Sequence, residues 1–389
     1  VREPDPELAE ALAERTLALC GIPSPIGEER EICGEVERWA RARFPLVRRV
    51  KNSLVVRVDA PSPRAGAGKE EPPTPTLSPL RGEEAPRRGG RPLLALCGHL
   101  DTIPIHEEDR DRAPRREGGR IVAHGATDMK GGLAVMMELA ARLPREARFA
   151  DLLLVLYARE EGPYLENELE DVLREAPEVS AAALAICLEP TDNVLQLGCV
   201  GSIHATLTFT GRSAHSARPW QGENAVHRAG ALLQDLAGRA PREALSGGLV
   251  YREVASVTRI EGGRARNVVP DRCTLNLNFR FAPDRTLKAA AEEVRALGAR
   301  FGAEVALTDL SPACPSFADH PLVRRLAERA GVPAEPKQAW TDVARLAGRG
   351  IPAVNLGPGA TAQAHQRGEW VEVEALVRCH RLLEAFLAA

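Results

Sequence analysis

The sequence predicts an α/β protein: a mostly parallel sheet with helices on both faces, into which a smaller ferredoxin-like α+β unit is inserted. Three observations carry that expectation. Strand-sized apolar runs alternate with helical periodicity over residues 93–188, a β-α-β-β-α-β order runs through 201–310, and the alternating texture resumes after 311. With 389 residues, 44% of them hydrophobic, the chain is long enough for two or three domains with real cores.

Residues 6–20 carry leucines and alanines at three- and four-residue spacing, an amphipathic helix that Gly21 and Pro23 end. A second helix is expected over Glu28 to Phe44, and β-branched and apolar runs at Ser53–Val58 and Pro92–Cys97 read as strands. Between them, residues 60–92 hold eight prolines and almost no large apolar side chains. Such a stretch buries too little surface to offset its ordering entropy, so a disordered surface insertion is expected there. Next come strand 93–97, helix 131–143, strand 151–158, helix 165–174 and strand 182–188. The inserted unit follows as strand 201–210, helix 223–239, strands 252–261 and 271–281, helix 284–300 and strand 303–310. Helix 320–330, a short strand at 352–356 and helix 372–387 complete the chain. The expected division is therefore a larger domain in two parts, 1–198 and 312–389, around an insert at 199–311.

Charge narrows the partners. With 51 basic against 54 acidic residues and a net charge of −3, no global field favours nucleic acid or an acidic membrane surface. The longest apolar runs, such as Leu152 to Ala158, are strand-sized, and Val1 to Asp5 shows no charged-then-apolar leader pattern, so a soluble cytoplasmic protein is expected. The eight cysteines are scattered, with no C-x-x-C pair, and read as reduced, buried thiols.

The residues that can do chemistry fall where strands run out, which is where ligands gather in open α/β sheets. His99 and Asp101 follow strand 93–97 and, two apart on extended chain, point the same way: an imidazole that ligates and a carboxylate that orients it. Asp128 stands in the glycine-rich turn Gly125 to Gly132 before a helix, as an N-cap or a metal ligand. Glu160 and Glu161 follow strand 151–158; adjacent glutamates repel unless a cation or a proton separates their roles, one as base and one as ligand. Glu189 follows strand 182–188, and His365 lies in a glycine-rich segment after Leu356. Each pattern alone also has an ordinary reading: a capped strand end, a helix cap, a solvated acidic pair. Together, five metal-capable groups after four or five successive strands are the signal. Two histidines and three carboxylates, one bridging, give two adjacent ions three ligands each, a co-catalytic dizinc arrangement in which cobalt or manganese can substitute.

These residues resemble the dizinc amidohydrolase family of aminoacylases, acetylornithine deacetylases, succinyl-diaminopimelate desuccinylases and carboxypeptidase-G-like enzymes, over nearly the whole chain except 60–92. The signatures are Gly98 to Pro104, Gly125 to Gly132, Glu160-Glu161-Gly162, Glu189-Pro190 and Ala364-His365. The resemblance implies a zinc-exopeptidase-like catalytic domain in which His99 and Glu189 bind one zinc, Glu161 and His365 the other, and Asp128 bridges. It also implies Glu160 as general base, Asp101 as the group orienting His99, and a cis peptide after Asp128.

The insert is similar to the family's lid and dimerisation domain, through Gly211 to Ser216 and Gly222 to Ala225. His215 then corresponds to a histidine that reaches the partner subunit's site and stabilises the oxyanion, while Asn267 and Arg280 correspond to lid residues that hold a substrate carboxylate. Planar guanidinium suits that task. The nearest resemblance is to one branch of the desuccinylases, through Arg212 to Asn224, Asn276 to Asp284 and Trp340 to Arg345. It implies a homodimer that hydrolyses an N-acyl amino acid, N-succinyl-LL-2,6-diaminopimelate first, with acetylornithine, other N-acyl amino acids or dipeptides as alternatives and a catalytically silent metal-binding dimer as the reading from another class. The chain departs from that branch at Gly198 to Ser202, where relatives carry an arginine pair, and at Trp340 to Val343; Arg218 and Arg345 are the candidate cations for the second carboxylate.

Overall fold

A sheet covered on both faces needs strands apolar at almost every position, and the central strands meet that requirement: Leu93–His99 and Asp151–Tyr157 are buried throughout. The computed structural model describes residues 5–59 and 90–389, so the expected insertion at 60–92 lies outside the described residues except for its last three. In chain order the strands are β1 (Leu46–Val50), β2 (Ser53–Arg57), β3 (Leu93–His99), β4 (Arg115–Glu117), β5 (Arg120–Val122), β6 (Asp151–Tyr157), β7 (Leu184–Cys187) and β8 (Leu195–Leu197). They continue as β9 (Gly201–Thr210), β10 (Arg242–Ser246), β11 (Leu249–Gly262), β12 (Arg272–Phe281), β13 (Glu304–Ser311), β14 (Ala334–Pro336), β15 (Ala353–Asn355) and β16 (Trp370–Glu372). The helices are α1 (Pro6–Cys20), α2 (Arg30–Arg41), α3 (Gly131–Arg142), α4 (Leu169–Glu175), α5 (Ala225–Ala237), α6 (Leu287–Arg300), α7 (Pro321–Ala330), α8 (Val343–Gly348) and α9 (Val373–Leu387).

The larger sheet runs β1-β2-β6-β3-β7-β15-β8-β14. Its centre, β6-β3-β7-β15, is parallel, and antiparallel pairs lie outside it. Alternation sorts the side chains: Leu94, Leu96, Leu152, Leu154 and Ile186 pack against α1, α2, α3 and α9, whereas Ala95, Cys97, Leu153, Val155 and Cys187 face α4 and α8. Close approach of α3 depends on Gly98, where a Cβ would lie 2.7 Å from Met129 Cε and 2.8 Å from Leu133 Cδ2. Helix α1 starts where its sequence says, with the Asp5 side chain accepting from the Leu8 N–H at 3.2 Å and proline in the first turn.

The insert forms its own antiparallel sheet, β10-β11-β12-β9-β13. Without β10 this is the ferredoxin-like arrangement, and β10 adds one edge strand to it. One face packs Ile203, Ala205, Leu207, Leu275, Leu277 and Phe279 on α5 and α6; the other face is polar. Where the chain passes between the two sheets, Cys199 and Cys314 exchange both backbone hydrogen bonds, at 3.2 and 3.0 Å.

Three local expectations are corrected. The segment 165–174 is a 3-10 turn at Tyr164–Glu166 followed by α4 from Leu169, because Pro163 and the Asn167 side chain, which accepts from the Leu169 N–H at 2.9 Å, reset the start. The second helix is shorter at both ends than 28–44. Strands β1, β4, β5, β8, β10, β14 and β16 were not expected: β1, β4 and β10 are mostly exposed, β14 holds a proline, and β5, β8 and β16 are three residues long, too short for an alternation to be read. Among the described residues no helix is long and apolar enough to cross a membrane.

Candidate metal centre

Parallel strands that end together deliver their next residues to one place, and here β3, β6 and β7 deliver His99, the Glu160-Glu161 pair and Glu189. His99 is fully buried. Its Nε2 lies 3.1 Å from Asp128 Oδ1, while Nδ1 faces the Asp101 carbonyl at 3.0 Å and the Asp101 carboxylate at 3.7 Å. Asp101 does more than orient the ring: its two oxygens accept from the backbone N–H groups of Glu160, at 3.1 Å, and Glu161, at 2.9 Å. One carboxylate therefore sets both the imidazole and the turn that carries the two glutamates.

Asp128 sits on a turn that departs from helical geometry, and the Asp128–Met129 bond is cis. Gly125, at φ +74°, opens that turn in a conformation that favours glycine. The turn is clamped by a residue that sequence reasoning missed. Buried Glu369 accepts from the backbone N–H groups of Gly125 at 2.7 Å, Thr127 at 2.7 Å and Asp128 at 2.9 Å. Four positions earlier, His365 places Nε2 3.0 Å from Glu161 Oε1 and 3.6 Å from Asp128 Oδ2.

Three groups of ligand atoms converge within 4.8 Å: His99, Asp128 and Glu189; Asp128, Glu161 and His365; and His99, Glu160 and Glu161. Asp128 belongs to the first two. Burial, and then the charge of Glu189, hold Glu160 well above the usual carboxylate range. Burial pushes Glu189 up to about 7 against the opposing pull of His99, and burial raises Glu161 as well. On His99 burial acts downward, but the Asp128 hydrogen bond and the charges of Glu189, Asp101 and Glu160 outweigh it and hold the ring well above its usual value. The hydrogen bond to Glu161 lifts His365 to about 9. Such a crowd of buried acids needs protons or cations to neutralise it. Glu189 Oε1 is buried with no hydrogen-bond partner among the described residues, an orphaned acceptor that a cation would satisfy. Oxygen and imidazole donors with no thiolate fit zinc and similar divalent ions.

The other expected residues lie apart from this cluster. His215 and Asn267 are exposed neighbours on the insert: His215 bridges to Val268, Ser216 N–H donates to the Asn267 carbonyl at 2.9 Å, and the His215 ring accepts from Ala217 N–H at 3.0 Å. Arg280 lines a cleft of about 200 Å³ that also touches Glu160, Glu161, Tyr164 and Trp340. Arg345 is committed elsewhere. It is buried, donates to Asp342 Oδ1 at 3.0 Å and to the Tyr164 carbonyl at 2.7 Å, and stacks 3.9 Å over the Tyr164 ring, so it does not offer a free cation to substrate. Arg218 is exposed on the insert.

Residues 95–389 match the family described as Peptidase family M20/M25/M40. A Mycobacterium tuberculosis protein provisionally named succinyl-diaminopimelate desuccinylase is 37% identical over 377 residues, 96% of this chain and 97% of its own. Succinyl-diaminopimelate desuccinylase of Corynebacterium glutamicum is 34% identical over 96% of this chain and 95% of its own. Among solved structures, the aminopeptidase PepT of Bacillus cereus superposes with a TM-score of 0.72 at 20% identity, covering 97% of this chain and 98% of that one.

Proposed function

The chain belongs to peptidase family M20/M25/M40, whose members are metal-dependent hydrolases, and from that premise we propose that it removes the succinyl group from N-succinyl-LL-2,6-diaminopimelate, giving succinate and LL-2,6-diaminopimelate for lysine biosynthesis. The observation that carries the substrate is similarity to two desuccinylases over nearly the full length of both partners. The convergent acids and imidazoles support the chemistry.

In this reading His99, Asp128 and Glu189 hold one zinc ion and Asp128, Glu161 and His365 a second, in the catalytic part formed by 1–198 and 312–389. Bound there, the ions supply Lewis-acid polarisation of an amide carbonyl and a water activated at neutral pH. Glu160 is the base. Its carboxyl is half-buried beside Glu161 and Glu189, which raises its proton affinity, so it takes a proton from the attacking water and returns it to the departing amine. Asp101 holds the turn that aims Glu160, through the Glu160 and Glu161 amides. The lid, 199–311, supplies Arg280 and Asn267 for a substrate carboxylate, and His215 reaches across a homodimer to donate to the oxyanion. Cytoplasmic residence accompanies this reading, since all eight cysteines are unpaired.

The test is release of free amine from N-succinyl-LL-2,6-diaminopimelate beside N-acetylornithine by the zinc-loaded chain. Preference for the succinyl compound is the expected result. Preference for acetylornithine would move the enzyme to another branch with the same chemistry, and tight metal binding with no turnover of any N-acyl amino acid would make it a silent metal-binding dimer.

A further inference from the structure

The polar face of the insert's sheet carries an ordered patch. Strand pairing sets Asn278, His204 and Asp309 in one row and Arg280, Ser202 and Ser311 in the next, across β12, β9 and β13. Asp309 is there because of an irregularity. Up to Leu307 the odd residues of β13 pack toward α5 and α6; a bulge between Leu307 and Asp309 takes up Thr308 and swings Asp309 onto the opposite face. Both rows open into the cleft that ends at Glu160 and Glu161. Arg280 donates its Nε to Asn278 Oδ1 at 2.9 Å, and among the described residues no cation pairs with Asp309, whose Oδ1 takes only the adjacent Leu310 N–H at 2.9 Å. The charge of Asp309 still reaches Arg280. A cation and an anion thus face one cleft without forming an ion pair, their backbones two strands and one row apart, roughly 12 Å. The arginine side chain leans back toward the row of Asp309, its Nε meeting Asn278 Oδ1 there.

We propose that Asp309 is a specificity-determining residue that receives the ammonium group of a zwitterionic amino-acid head at the far end of the substrate, beside the carboxylate held by Arg280. This rests on the reading of the chain as a hydrolase of N-acyl amino acids and names which substrates it selects: those whose side chain ends in an amino group. Loss of a charged hydrogen bond in a partly buried site changes selectivity about tenfold to a hundredfold.

The experiment compares kcat/KM for N-succinyl-LL-2,6-diaminopimelate and for N-succinyl-L-2-aminopimelate, which has hydrogen in place of the distal ammonium, using the zinc-loaded full chain. The parent should favour the amino-bearing compound by about tenfold or more, and Asp309→Asn should erase the ratio while leaving the aminopimelate rate within about twofold. Asp309→Ser, lacking the charge and the bulk, should do the same and stands in if the asparagine variant folds poorly. An unchanged ratio, or an equal fall on both substrates, overturns the inference while the hydrolase reading stands. A parent that cleaves neither compound overturns both.

Discussion

Asp101 and Glu369 perform the same task from opposite sides: each is a buried carboxylate that accepts backbone N–H groups on a segment bearing the reactive residues. Their removal should therefore differ from removal of the base. Glu160→Gln keeps the shape and both amide contacts to Asp101, so metal content by atomic absorption should stay at the parent value while turnover falls by about a hundredfold or more. Undiminished turnover would refute the base assignment. Glu369→Ala leaves three N–H groups around Asp128 without their acceptor, which should lower stability by about 3 kcal/mol in urea unfolding and weaken metal affinity together. Glu369→Gln retains one carbonyl oxygen for Thr127 and Asp128, and should fall between alanine and the parent in both measurements. A metal affinity indifferent to either change would mean that the turn holds its shape unaided.

At the scale of elements, apolar patterning made most of the fold legible: α1, β3, α3, β6, β9, β12 and α9 fall within a few residues of their expected bounds because each buries a face of the right period. The same physics hid the rest. Edge strands such as β1 and β10 bury little, so their residues carry no alternation to read. The ligand-bearing strand ends were legible because a polar residue directly after a buried strand stands out. Glu369 was not, since its role is defined by amides some 240 positions away, and Asp309 was not, since only the bulge decides which face it takes. Helix α9 offers a measurable case of burial outweighing residue chemistry. His380 is buried with neither ring nitrogen bonded among the described residues, and desolvation, with Arg142 adding to it against the opposing charges of Glu138 and Asp5, lowers its pKa from 6.5 to about 4. The unfolded chain then binds the extra proton between those values, so this contribution to stability is complete above about pH 6.5 and declines as pH falls toward 4. Relative to the parent, His380→Met should gain about 2 kcal/mol at pH 5 over its value at pH 7 in urea unfolding. A difference independent of pH would show that the ring is solvated.

On the whole-molecule scale the question is why a chain with its acids and imidazoles already converged carries a second sheet at all. Within one chain the strand-end cluster brings together the proposed base Glu160, Asp101 and five groups able to hold cations, but His215 and Asn267 make their contacts on the insert, not in that cluster. The proposed homodimer, joined through the insert, would resolve this, because its two-fold axis would carry the His215 of one subunit to the site of the other and make every site a composite of two chains. The consequence is testable with two inactive proteins. Glu160→Gln lacks the base but still offers His215, while His215→Ala lacks the donor but keeps Glu160. In a hybrid of the two, the His215→Ala subunit's site receives an intact histidine and becomes complete, whereas the other site lacks both groups. Random exchange makes half the dimers hybrid, with one working site in each, so an equimolar mixture should recover about a quarter of the parent's turnover. Separately tagged variants, purified over both tags to isolate the hybrid, should show about half. Hybrids that form and remain inactive would place the oxyanion donor within a single chain and leave the insert's histidine without a catalytic part.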